Sequence, residues 1–160
     1  MQVLVDILKE QLEGYSDLLE LAKNKQGALL ANDIKKLEEI NKKEEGKIWE
    51  LTKLENKRLM IIATLKETFG ENLETLTLKE IAQKAPEPYQ EEFEKIFVRL
   101  NEKIEQLSKI NDQNSELIKQ SLEIINFTLQ AIVRSESEVT YGEQDRKTGQ
   151  QASRILDTKV

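Results

Sequence analysis

The sequence predicts an all-α fold: an elongated antiparallel bundle of three long helices with coiled-coil packing, plus one short helix. Two prolines and six glycines are all that interrupt 160 residues, and Pro86 and Pro88 stand together, so most of the chain meets few residues that break a helix. Long segments repeat apolar residues in steps of four and three, the spacing of helices that pack along a seam. Charged residues make up 34% of the chain and aromatic residues 5%, which leaves the packing to Leu and Ile rather than to rings.

The first helix carries a heptad seam, Met1, Val5, Leu8, Leu12, Tyr15, Leu19, Ala22, Gln26 and Leu29. At Ala31-Asn32-Asp33 an asparagine is placed to end one helix and an aspartate to cap the next, so a tight turn and an antiparallel second helix are expected. That second helix, about 33–69, follows an eleven-residue period in Leu37, Ile48 and Leu59, in Ile40, Leu51 and Ile62, and in Leu54 and Leu65. Eleven residues in three turns lie close to a straight helix. Trp49 reads as an edge-packing residue rather than a ligand platform. Gly70 is placed to end the helix.

Leu73, Leu76 and the capping box Thr77 with Glu80 predict a short helix over roughly 78–84. Pro86-Glu87-Pro88 closes it and opens the last long helix, whose first turns carry Glu91, Glu92 and Glu94 at the positive end of the dipole. Its seam runs Phe93, Phe97, Leu100, Ile104, Leu107, Asn111, Asn114, Ile118, Ser121, Ile125, Thr128 and Ile132. The expected organisation is one domain: a helical hairpin over 1–70, a connector with a short helix over 71–87, a long C-terminal helix over 88–138 and a flexible tail over 139–160. At 1.5 Å per residue the last helix would be roughly 75 Å long against about 55 Å for the second, so its distal end should overhang.

Composition excludes several function classes. A net charge of −6 with basic residues scattered among acids argues against a nucleic-acid partner, whose phosphates need a basic face. The chain has no cysteine and no histidine, so disulfides, thiolate chemistry, histidine-based catalysis and the Glu-x-x-His pattern of di-iron bundles are all missing. No cofactor or metal and no enzymatic activity are expected. The start MQVLVDILKEQ lacks the blocks of a signal peptide, and no apolar run approaches a membrane span. A cytoplasmic protein with no membrane insertion is the expectation.

Residues 117–133, LIKQSLEIINFTLQAIV, have ten apolar positions in seventeen, more than one bundle face accounts for. A partner is therefore the expected cover, with Leu117, Ile118, Leu122, Ile125, Leu129 and Ile132 as its contacts. Asn111 and Asn114 are adjacent seam positions that either fix register or serve a partner as donors and acceptors. Tyr141-Gly142 reads either as a helix end with a ring packing back or as an exposed aromatic contact.

The run NDQNSELIKQSLEIINFTLQAI followed by TYG resembles the C-terminal half of the FlgN-type flagellar export chaperones, in Asn111, Asn114, Leu117, Ile118, Ser121, Leu122, Tyr141 and Gly142. Asp145 stands where relatives of this kind often carry a second glycine. The resemblance implies a cytosolic chaperone of flagellar type III export that binds the C-terminal helical regions of the two hook–filament junction proteins (hook-associated proteins). It also implies docking at the export gate through a tail tyrosine, for which Tyr141 is the best match. The rival readings are a homodimeric or higher coiled-coil spacer whose last helix pairs with its own copy, and an amphipathic membrane-surface protein, which Glu123, Glu136 and Glu138 oppose.

Overall fold

The computed structural model describes the backbone over residues 1–69 and 78–156 and side-chain surroundings over 1–65 and 80–134. Four helices follow one another: α1 (Gln2–Leu30), α2 (Ile34–Phe69), α3 (Leu78–Lys84) and α4 (Tyr89–Leu156). No strand occurs among the described residues. The chain divides into two compact units, Met1–Leu117 and Ile118–Val160. Gly70, Leu73, Leu76 and Thr77 lie outside the described residues, whereas the short helix expected over 78–84 is α3.

The α1–α2 turn follows from its residues. Asn32 takes a left-handed φ of 54°, a conformation asparagine tolerates better than most side chains. The amides of Asn32 and Asp33 donate to the carbonyls of Leu29 and Ala28. Asp33 then caps α2, its Oδ1 accepting the Lys36 amide at 3.0 Å.

α1 is buried on two neighbouring arcs, not on one seam. The row of Val5, Leu8 and Leu12 meets Phe93, Ile96 and Leu100 of α4 in the main core, joined by Leu4, Ile62, Ile81, Ala82 and Ala85. A second row, Ile7, Gln11, Gly14 and Leu18, is also buried and faces α2. There Gln11 Nε2 donates to Glu55 Oε2 at 3.0 Å, and a Cβ on Gly14 would lie 2.7 Å from the Leu51 side chain. Two partners for one helix explain why α1 needs apolar residues outside its heptad positions.

On α2 only one of the eleven-residue sets is fully enclosed: Ile40, Leu51 and Ile62 are buried. Ile48 and Leu59 face outward instead. Charged residues occupy much of the face toward α1, and they pair across the hairpin, Lys25 with Glu44 at 2.6 Å and Lys47 with Asp17 at 3.1 Å. Glu55 receives both Gln11 and, at 2.7 Å, the Arg58 Nε. The Arg58 guanidinium first, and Gln11 next, hold the Glu55 carboxyl below the usual carboxylate range against the opposing effect of burial.

α4 begins directly after Pro88, with Glu91 and Glu92 in its first turn. It runs parallel to α1: Lys9 pairs with Glu92, Asn114 Nδ2 donates to the Ala22 carbonyl at 2.9 Å, and Gln26 Nε2 donates to Gln113 Oε1 at 3.1 Å. The heptad seam expected on this helix needs correcting. Ile104 and Asn111 are exposed, and the enclosed or half-enclosed row is Leu100, Lys103, Leu107, Ile110, Asn114 and Leu117. Leu107 and Asn114 are common to both rows, and the alternate positions move back by one, so steps of four and three become steps of three and four. α4 also continues to Leu156, past the bound of 138 expected for it. No proline follows Pro88, and each glycine at 142 and 149 costs a helix only about 1 kcal/mol relative to alanine.

Three outcomes follow from this packing. Phe93, fully enclosed in the main core, should cost about 3–5 kcal/mol when changed to Ala, read as a lowered urea midpoint. Asn114 is 3% exposed and its Oδ1 accepts no hydrogen bond. Asn114→Leu should therefore raise stability by about 1 kcal/mol in thermal unfolding, because a seam asparagine fixes register at a cost. Because the folded Glu55 carboxyl titrates below its unfolded value, its contribution is present above the ordinary carboxylate range and is lost as pH falls through the folded value. Glu55→Gln should lower stability by about 0.5–1 kcal/mol at pH 7, after solvent screening, and by almost nothing at pH 2.

Candidate functional site

Beyond Leu117, α4 alternates steps of four and three through Ile118, Leu122, Ile125, Leu129 and Ile132. On a helix of 3.6 residues per turn these five lie within about 40° of one line. Val133 widens the apolar arc on one side, whereas Ile124, past Ser121 and Thr128 on the other, and Phe127 stand apart from it. Lys119, Glu123, Asn126 and Gln130 occupy the other side.

All of these apolar side chains are exposed: Leu122 keeps 55% of its surface, Ile125 53% and Phe127 74%. The arc without Ile124 and Phe127 offers on the order of 600 Å², at the upper end of the roughly 300–600 Å² of the largest apolar patch on a typical soluble monomer. Thr128, on the flank, donates its hydroxyl to the Ile124 carbonyl at 2.9 Å, so its hydrogen is satisfied within the helix. An apolar arc bordered by residues of both charge signs can bind by burial of apolar surface and has no group for bond-making chemistry.

The site residues expected from sequence fall into three groups. Ile118, Leu122, Ile125, Leu129 and Ile132 make the exposed arc. Asn111 is exposed, Leu117 half-buried and Asn114 enclosed against α1, so as the chain stands Asn114 presents no surface to a partner and its geometry is that of a register-fixing residue. Tyr141 and Gly142 lie on the α4 backbone, which does not end there, and their side-chain surroundings are outside the described residues. The apolar arc follows 122 and 129 where the expected seam followed Ser121 and Thr128. Sequence reasoning did not single out Ile124, Phe127 and Val133, although the apolar richness of 117–133 already contained them.

Among the described residues no group of three or more acidic side chains is placed to hold a metal ion. No described helix is long and apolar enough to cross a membrane.

The family model for FlgN, described as FlgN protein, matches residues 1–149. The chain is also 26% identical over 161 residues to the uncharacterized protein YvyG of Bacillus subtilis (strain 168), covering 99% of this chain and 98% of that one. No solved structure matches it significantly. With nearly its whole length matched by the family model, the chain belongs to the FlgN family, a family of flagellar export chaperones and not of enzymes.

Proposed function

We propose that this chain is a cytoplasmic export chaperone that binds the C-terminal helical regions of hook–filament junction proteins and delivers them to the flagellar type III export apparatus. The observation that carries the reading is the exposed arc of Ile118, Leu122, Ile125, Leu129 and Ile132 in a chain of the FlgN family. An arc with a four-three repeat suits an amphipathic helix laid along it, each apolar side chain meeting counterparts at matching spacing. Client termini that pair with one another in the finished filament are then hidden before export, which prevents premature assembly.

Other residues take supporting parts in this reading. Leu117 and Asn111, which precede the arc in the chain, are further client contacts, the asparagine amide offering a donor and an acceptor. Asn114 acts indirectly, holding α4 to α1 just before the arc starts. Tyr141, with Gly142 beside it, is the contact for the export gate. Ordering a client segment on binding opposes the gain from burial, so affinity stays moderate and the client can be released.

The test is a pull-down of hook–filament junction proteins with the Leu122→Asp and Ile125→Asp variants. Each substitution removes a buried apolar contact and places a charge in its stead, so client affinity should fall more than about 100-fold. It should also vary little with salt for the unmodified chain, since the contact is apolar. Normal client capture by both variants would refute the site. A tight dimer that buries Ile118–Val133 would favour the coiled-coil spacer.

A further inference from the structure

α2 carries a second uncovered face, unlike the first. Ile48, Trp49, Leu59 and Met60 are all more than half exposed, Trp49 at 62% and Met60 at 70%, and Thr52, Asn56 and Ala63 beside them are exposed too. Ile48 with Leu59, Trp49 with Met60 and Thr52 with Ala63 are each eleven apart, so the stripe keeps within about 120° of one direction on a nearly straight helix. From 48 to 63 this arc contains no charged residue, in a chain that is 34% charged.

The order of residues along the stripe reads alike from both ends. Positions equidistant from 54 match in kind: Ile48 with Met60, Trp49 with Leu59, Thr52 with Asn56. Two copies of α2 laid antiparallel about a two-fold axis at that point would set apolar against apolar at the ends and a hydroxyl against an amide near the centre. The Thr52 hydroxyl already donates to the Ile48 carbonyl at 2.8 Å, which leaves its oxygen lone pairs to accept the Asn56 amide of a second copy. Lys53 lies on the flank with its Nζ 3.1 Å from the Trp49 ring centroid, drawn along its own helix and capping the indole. Glu45 lies past the end of the uncharged stretch.

Charge and area both favour a second copy as the occupant. A face that meets itself sets each charge against its own counterpart position, at a cost unless the same chain carries the opposite sign there, whereas a different protein can supply the opposite sign. An arc whose own residues carry no charge, with Lys53 confined to its flank, is therefore suited to self-pairing. The four large side chains offer on the order of 500 Å² per copy, the size of a small, reversible interface below the roughly 800 Å² per partner of a standard one. The α4 arc of a second copy fits less well, because its four-three spacing drifts from an eleven-residue stripe along the contact.

We propose that Ile48, Trp49, Thr52, Asn56, Leu59 and Met60 form a self-pairing face through which two copies of this chain associate with their α2 helices antiparallel. The pairing leaves the Ile118–Val133 arc unused, so it is separate from client binding.

The test is sedimentation equilibrium of the full chain from about 1 to 500 µM, a span that covers the weak association expected of a small interface, alongside the emission of Trp49, the single tryptophan. A reversible dimer whose formation shifts Trp49 emission to the blue is expected. Thr52→Lys with Asn56→Lys should weaken it more than about 10-fold, since like charges then meet across the axis. Thr52→Lys with Asn56→Glu should pair within about threefold of the original, because antiparallel pairing sets each lysine against a glutamate of the other copy. Both double variants change exposed positions, and unchanged far-UV circular dichroism would confirm that each remains folded. A monomer throughout the range, a dimer that survives the double-lysine change, failure of the lysine–glutamate variant to pair, or a dimer dissolved by Leu122→Asp instead would each overturn the proposal.

Discussion

The bundle depends on α1 having enough apolar surface for two neighbours at once. One arc of α1 holds α2 and the adjoining arc holds the start of α4, with Leu4, Val5, Leu8 and Phe93 nearly or fully without solvent exposure where the elements meet. A helix buries apolar side chains only where another element lies beside it. α1 is 29 residues long and α4 is 68. The polar ties between them, from Lys9 with Glu92 to Ala22 with Asn114, set a parallel register in which α1 is nearly used up by the level of Asn114. The residues of α4 from Ile118 onward present the exposed arc.

The hairpin interface solves a different problem. α2 has few apolar residues facing α1, and Gln11, Lys25 and Asp17 answer its Glu55, Glu44 and Lys47. Partly exposed pairs of this kind add little stability each. Their value is in matching: a shift of α1 against α2 would set several of these groups opposite the wrong neighbours. The close approach at Gly14 over Leu51 has the same effect through shape. Apolar residues left over on α2 then point outward, which is how Trp49 comes to be exposed when an edge-packing role was expected of it.

Much of this was legible in the sequence, where local chemistry decides. The turn at Asn32-Asp33, the start of α4 after Pro88 and the short α3 depend on neighbouring residues alone, and they stand where those residues place them. The apolar richness of 117–133 likewise appears as exposed surface. What was not legible depends on contacts with distant residues. Period alone could not say that Leu4, Ile7 and Leu18 would be buried, since that requires α1 to have two partners. Nor could it say that the α4 row would pass through Lys103 and Ile110 rather than Ile104 and Asn111, because a seam can slip by one position wherever both rows contain apolar residues. α4 runs through Tyr141-Gly142, for which a helix end was one of two readings, because a lone glycine weakens a helix without ending it.

Amide hydrogen exchange along the full chain, with and without the C-terminal helical segment of a hook–filament junction protein, reads out whether a client helix covers the arc from Ile118 to Val133. Exchange should slow over 118–133 on adding the segment and stay nearly unchanged along α2. Full binding of the segment with no added protection over 118–133 would contradict client cover of the arc.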